Sequence, residues 1–166
     1  MFNFFKSSEN VRNFVFGVED SLVSTVGFIS GIVSAGLPRR EILVSGFILI
    51  LVEGFSMGVG ALISENSVAE VSEHKELPYA ASRAWAFIMF LSYIVAGAFV
   101  IAPYGLLPVS SAFWVSVTVA LILLFGVGAI IGHYAKISLI KKGLSVALIG
   151  GLAIIIGVAV GSFLNV

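Results

Sequence analysis

Three acidic residues stand within long apolar segments of this sequence, where a carboxylate can bind a cation. Glu19 and Asp20 lie in one such segment, and Glu53 lies in the next, together with Met57. A charged side chain inside a membrane is energetically expensive and usually faces a partner or a water-filled cavity. Each of the three acids is therefore a candidate functional residue.

The depth of these side chains predicts that they come together. If the first apolar helix enters a membrane near Phe14, Asp20 lies roughly 9 Å below that interface. Met57 lies roughly 10 Å below the same interface if the second helix leaves near Ser64. Glu53 precedes Met57 by about one helical turn on the same face. We therefore expect Asp20, Met57 and Glu53 to share one site.

The donor atoms of this site indicate which cation it would bind. Two carboxylates with a thioether sulfur favour a borderline divalent transition metal, because calcium and magnesium prefer shells made of oxygen alone. Metal binding requires deprotonated carboxylates, so the same residues would couple metal movement to proton counter-movement. Glu19 points about 100° away from Asp20 around the helix. It either joins the ligands, reaches the membrane interface or contacts a second subunit.

The composition of the chain predicts the helices that position these residues. The 166 residues are 59% apolar and 11% charged, with no cysteine and a formal net charge of zero. This composition excludes a water-soluble domain, a thiolate metal site and a strongly basic nucleic-acid-binding surface. Five apolar stretches reach the length of about 20 residues that a membrane span needs. We predict an all-α integral membrane protein, one transmembrane domain over residues 1–166, with helices at about 14–36, 42–64, 84–102, 109–134 and 144–164.

Small residues predict how the first two helices pack. The short turn from Gly36 to Arg40 makes them antiparallel neighbours. Glycines four residues apart permit close approach of two helix backbones. Gly27 and Gly31 form such a pair on the first helix, and Gly54 and Gly58 form one on the second. We therefore expect the first two helices to pack closely against each other.

The basic residues predict the orientation of the chain. With the N-terminus in the cytoplasm, only Arg39 and Arg40 of the nine basic residues fall outside. This bias predicts a cytoplasmic N-terminus and, after five spans, an external C-terminus.

The longest hydrophilic stretch, residues 65–83, then forms an acidic cytoplasmic loop. Glu70, Glu73 and His74 would share one face if this loop were helical, and would capture a metal weakly. A solvated acidic loop is the simpler interpretation of the same residues.

Two segments resemble signatures of a known family. Residues 12–25, RNFVFGVEDSLVST, resemble the first-helix signature of the vacuolar iron transporter family, in which an Arg-Asp start leads to Gly-x-x-Asp-Gly-Leu-Val-Ser. Residues 53–60, EGFSMGVG, resemble its second-helix signature, Glu-Ala-x-Ser-Met-Ala-x-Gly-Glu-Tyr. The family aspartate and methionine are matched here by Asp20 and Met57.

The resemblance implies a five-helix homodimer that exports ferrous iron, and often manganese, from the cytosol in exchange for protons. Its pathway would run along the dimer interface, with Asp20 and Met57 as metal ligands in the membrane. Glu9, ahead of the first helix, would correspond to acidic residues at the cytoplasmic entrance. The partners expected are a second copy of the chain, a divalent metal ion, protons and lipid, with no nucleic acid and no bound cofactor. The expected location is the cell membrane of a prokaryote, or a vacuolar or other organelle membrane of a eukaryote.

The sequence also departs from the family pattern. Ser21 replaces a first-helix glycine, Ala61 replaces the glutamate of Gly-Glu-Tyr, and the large cytoplasmic metal-binding domain is reduced to residues 65–83. These differences leave a second interpretation open, a membrane metal sensor or scaffold that does not transport. We do not expect an enzyme, because the sequence has no zinc-hydrolase motif, nucleophile elbow or phosphate loop.

Overall fold

The computed structural model describes residues 8–74 and 79–164, without the side chains of residues 72, 73 and 79–81. Over these residues the chain forms five α-helices: α1 Ser8–Ser34, α2 Arg39–Val68, α3 Tyr79–Leu106, α4 Val109–Tyr134 and α5 Leu139–Leu164. Each contains a segment long and apolar enough to cross a membrane. The prediction of an all-α protein with five spans is confirmed, whereas the orientation of the termini and the dimer remain predictions.

The helices extend beyond the predicted spans at both ends of the bundle. α2 runs to Val68 and continues as a π-helical turn, Ala69–Glu73. The described part of the predicted loop at 65–83 is therefore mainly helical. A hydrophobic stretch measures only the part of a helix that lies in lipid, whereas the backbone hydrogen bonds of the helix continue into water. α3 likewise continues through Pro103 to Leu106, beyond the predicted end of the third span at about residue 102.

Short turns make sequential helices antiparallel. After α1, Gly36 adopts a φ of 79°, a conformation that glycine takes without strain. Its N–H donates to the carbonyl of Val33, and the N–H of Leu37 donates to Ile32, which together satisfy the last carbonyls of α1. Near this turn Arg39 donates from Nε to the carbonyl of Tyr104 at 2.6 Å, and a second guanidinium nitrogen bonds the carbonyl of Gly105. The start of α2 therefore caps the end of α3.

α1 and α3 are the central helices of the bundle. α1 packs extensively on α3 and α5, α3 packs on α2, and α4 packs on α5. α1 and α2 contact each other much less. The prediction that their glycines bring them together was wrong. Gly27 and Gly31 lie against α5, and Gly54 and Gly58 lie against α3. Sequence spacing identifies a face that permits close approach, but not the helix that meets it.

Both the centre of the bundle and its outer surface are apolar. The largest buried cluster joins α1, α3, α4 and α5, with Leu22, Val100 and Leu124 fully buried. On α2, the outward side chains are large and exposed, and they include Leu51, Val52, Phe55, Val59 and Ile63. An apolar outer surface of this kind suits contact with lipid or with another apolar protein surface.

Candidate metal-binding site within the helix bundle

Glu53 is the best-anchored of the intramembrane carboxylates. It lies on the side of α2 that faces α3 and is partly buried. Its Oε2 atom accepts a hydrogen bond from Ser24 Oγ of α1 at 3.0 Å and another from the Tyr93 hydroxyl of α3. The two hydroxyl oxygens lie 2.6 Å apart. Three helices therefore meet at one carboxylate oxygen.

Tyr93 is the residue that joins these helices. Its side chain is fully buried, in a cluster with Ile50 of α2 and Ile101 of α3. Its backbone carbonyl accepts a hydrogen bond from Ser21 Oγ at 2.6 Å. Ser21, one of the departures from the family signature, thus fixes the backbone of α3 to α1 at the position from which the Tyr93 side chain reaches α2.

Asp20 lies close to this group. It is partly buried, and it is near enough to Glu53 and to Tyr93 to interact with both electrostatically. Two carboxylates in a surrounding of low dielectric repel each other strongly unless a cation or a proton reduces their charge. The pair of acids from α1 and α2 is therefore suited chemically to attract a cation.

A cavity of about 1140 Å³ begins next to these residues in the chain: Glu19 and Met57 line it, whereas, among the described residues, Asp20 and Glu53 do not. It extends along α1 from Ser8 to Glu19 and along α2 from Ser56 to Val68. Met57 lines it and also packs against the cluster that contains Tyr93. Of the described residues that line the cavity, Glu19 rather than Asp20 supplies the α1 carboxylate. The two adjacent acids of α1 therefore face different surroundings, as their angular separation predicted.

An ion pair connects α1 and α2 at the amino-terminal end of the bundle, where α1 begins. Arg12 bonds Glu65, and both residues line the cavity. The Arg12 side chain is 63% exposed, whereas that of Glu65 is only 13% exposed. Glu65 lies about one turn after Ala61, the position at which the family signature has its glutamate. An acid therefore lies about one turn further along α2 than the glutamate of the family signature.

The remaining candidate ligands lie further from the carboxylate pair along the chain. Glu9 is in the first turn of α1, where it accepts a hydrogen bond from Ser8 Oγ at 2.9 Å. Glu70 and His74 are exposed, and His74 Nδ1 lies 3.4 Å from the backbone oxygen of Glu70. The Glu73 side chain lies outside the described residues. Among the side chains that the structure describes, no three of His, Cys, Asp or Glu lie close enough together to hold a metal ion.

Sequence reasoning did not identify Tyr93 as part of this site. A tyrosine in the middle of an apolar span needs a partner for its hydroxyl, because lipid offers none. The depth estimate applied to Asp20 and Met57 also places Tyr93 near the level of Glu53, about nine residues into a span that begins near residue 84. A tyrosine at this depth in an apolar span is therefore a signal of the site that the sequence contains.

Five membrane-spanning helices with a carboxylate pair in their interior define the class of multi-pass membrane proteins that carry a polar site within the bilayer. A comparison with family models then identifies the family. The model of the VIT family matches residues 11–77 and 72–162, most of the chain. The chain belongs to the VIT family, the vacuolar iron transporters, so the resemblance seen in the two signatures is confirmed. Membership in this family of transporters indicates membrane metal-ion transport. No match was found among curated proteins.

Proposed function

We propose that this protein exports a divalent transition metal, ferrous iron or manganese, from the cytosol in exchange for protons. The observation that carries the proposal is the carboxylate pair of Asp20 and Glu53 beside a cavity lined by Met57 and Glu19, in a chain of the VIT family. The metal is the substrate, and the chain acts as a homodimer whose interface contains the pathway.

The chemistry of the pair supports an exchange of metal for protons. Asp20 and Met57 act as metal ligands, and Glu53 acts as a further ligand or carries a proton. The repulsion between the two carboxylates is relieved either by a divalent cation or by protons, so the two compete for the same oxygens. If the cation binds from one side of the membrane and protons bind from the other, the metal and the protons would cross in opposite directions.

The outer surface of α2 supports a pathway at a dimer interface. Ser56, Gly60 and Ser64 are exposed and also line the cavity. A side chain added at Gly60 would meet open space. Small side chains on an outward helix surface permit a second helix to approach closely. A second copy of α2 at this surface would close the cavity and bring a symmetric set of ligands to it.

The test is transport by the purified protein in proteoliposomes with a pH-sensitive dye inside. We expect Asp20→Ala to reduce metal flux and metal-dependent proton movement to the level of empty liposomes, because it removes a ligand and half of the carboxylate pair. The matched control is Glu41→Ala, which removes an exposed acid from the first turn of α2 at the opposite end of the bundle. Wild-type flux by Asp20→Ala would refute the proposal. Metal binding without flux in the wild type would favour the sensor or scaffold.

A further inference from the structure

The hydrogen bonds at Glu53 leave its two oxygen atoms in different situations. Both the Ser24 and the Tyr93 hydroxyl bond to Oε2. A carboxylate oxygen that accepts two hydrogen bonds has little remaining capacity to bind a cation. Neither hydroxyl bonds the other oxygen, Oε1, which is therefore the better able of the two to act as a ligand.

The Tyr93 hydroxyl cannot easily leave this position. The side chain is buried to 0% exposure, and the backbone carbonyl is bonded to Ser21 of α1. On the α2 side, a side-chain carbon added at Gly54 would lie 3.4 Å from Tyr93 Cδ1, in van der Waals contact with the ring. The ring is therefore held between α1 and α2, and its hydroxyl stays on Glu53 unless a helix moves.

A carboxylate limited to one oxygen discriminates between cations. Calcium takes six to eight oxygen ligands and often uses both oxygens of one carboxylate. A transition metal of borderline softness needs fewer ligands and accepts a thioether such as that of Met57. We propose that Tyr93 and Ser24 are specificity-determining residues, which select transition metals against calcium by occupying one oxygen of Glu53. This inference rests on the proposed function, because it concerns the same site.

The experiment compares the affinities of two metals for the full-length protein. Isothermal titration in detergent micelles gives Kd for Co²⁺, an air-stable probe, and for Ca²⁺, and flux of each ion is measured in proteoliposomes. We expect Tyr93→Phe, and to a smaller extent Ser24→Ala, to move the ratio of the two Kd values about tenfold toward Ca²⁺. A tenfold change in the ratio corresponds to about 1.4 kcal/mol.

The controls remove the same kinds of hydroxyl group elsewhere in the bundle, one from α3 and one from α4. Tyr104→Phe removes another buried tyrosine hydroxyl from α3, and Ser116→Ala removes a buried serine hydroxyl that donates to the carbonyl of Val100. Both should leave the Kd ratio at its wild-type value. In a Glu53→Gln background, Tyr93→Phe should no longer change the ratio, since the carboxylate through which it acts is gone.

The outcomes separate this inference from the proposed function. An unchanged ratio in Tyr93→Phe, with both affinities reduced in parallel, would show that Tyr93 acts on folding alone and would overturn the inference. A changed ratio that persists in the Glu53→Gln background would overturn it as well. If the wild type binds Co²⁺ without transporting it, the proposed function fails while the Kd ratio still decides the inference. A wild type that binds neither ion refutes both.

Discussion

The two sides of α1 are built in opposite ways. On the side that faces α5, Gly27 and Gly31 lie against Gly157 and Gly161, and backbone atoms meet directly. On the side that faces α2 and α3, the hydroxyl groups of Ser24 and Tyr93 meet the carboxylate of Glu53. The cavity between α1 and α2 lies further along this side. We call these the glycine side and the polar side of α1.

The difference shows where this fold is rigid and where it can adjust. Backbones in direct contact cannot move apart without losing dispersion contacts along their whole length. On the polar side, α1 and α2 make few direct contacts and are connected at Glu53, through Ser24 and Tyr93, and by the Arg12–Glu65 pair. These connections involve charged groups, whereas the contact between α1 and α5 is made by backbone atoms.

The largest loss of stability is expected for a substitution on the glycine side of α1. In Gly157→Ala, the added methyl group would collide with the carbonyl oxygen of Gly27 and lie 3.2 Å from the backbone N of Gly31. Since neither atom belongs to a flexible side chain, α1 and α5 must separate, at a cost of about 3 kcal/mol in free energy of unfolding. Titration with denaturing detergent in micelles measures this. The control is Gly151→Ala on the same helix, where the methyl group meets open space and stability should not fall. Equal losses in the two variants would contradict the comparison.

A second substitution tests the role of Met57 on the polar side without disturbing the packing there. Met57→Leu keeps an apolar side chain of similar volume, so unfolding should change by less than about 1.5 kcal/mol. Loss of the thioether should lower Co²⁺ flux in proteoliposomes about tenfold, the equivalent of 1.4 kcal/mol. Met89→Leu is the control, because Met89 is a buried cavity-lining methionine on α3 outside the proposed ligands. If both variants lose flux equally, Met57 is a packing residue.

The smallest expected effect concerns the ion pair between α1 and α2. Glu65→Gln should lower the free energy of unfolding by less than about 1 kcal/mol, because Arg12 is mainly exposed and water screens the pair. The loss should shrink in high salt. In an Arg12→Gln background the same substitution should cost nothing further, which a double-mutant cycle measures. A loss of several kcal/mol would mean that the polar side is held as firmly as the glycine side.

The sequence was sufficient for the number and type of helices, because five apolar segments of spanning length leave no other arrangement of the backbone in lipid. It also identified Asp20, Glu53 and Met57 as candidates, since charge and sulfur are conspicuous among apolar neighbours. It could not identify which helix meets each glycine pair, because the spacing at Gly27 and Gly54 is equally compatible with several partners. For the same reason the bond between Tyr93 and Glu53, 40 residues apart, needed the tertiary structure.

The cap that Arg39 places on α3 has a consequence for biogenesis. Arg39 is synthesised 65 residues before Tyr104, whose carbonyl it bonds. Its guanidinium group therefore has no α3 carbonyl to bind until the third span has crossed the bilayer and its last turn has formed. This cap therefore forms only after α3 has formed, and it then joins the start of α2 to the end of α3.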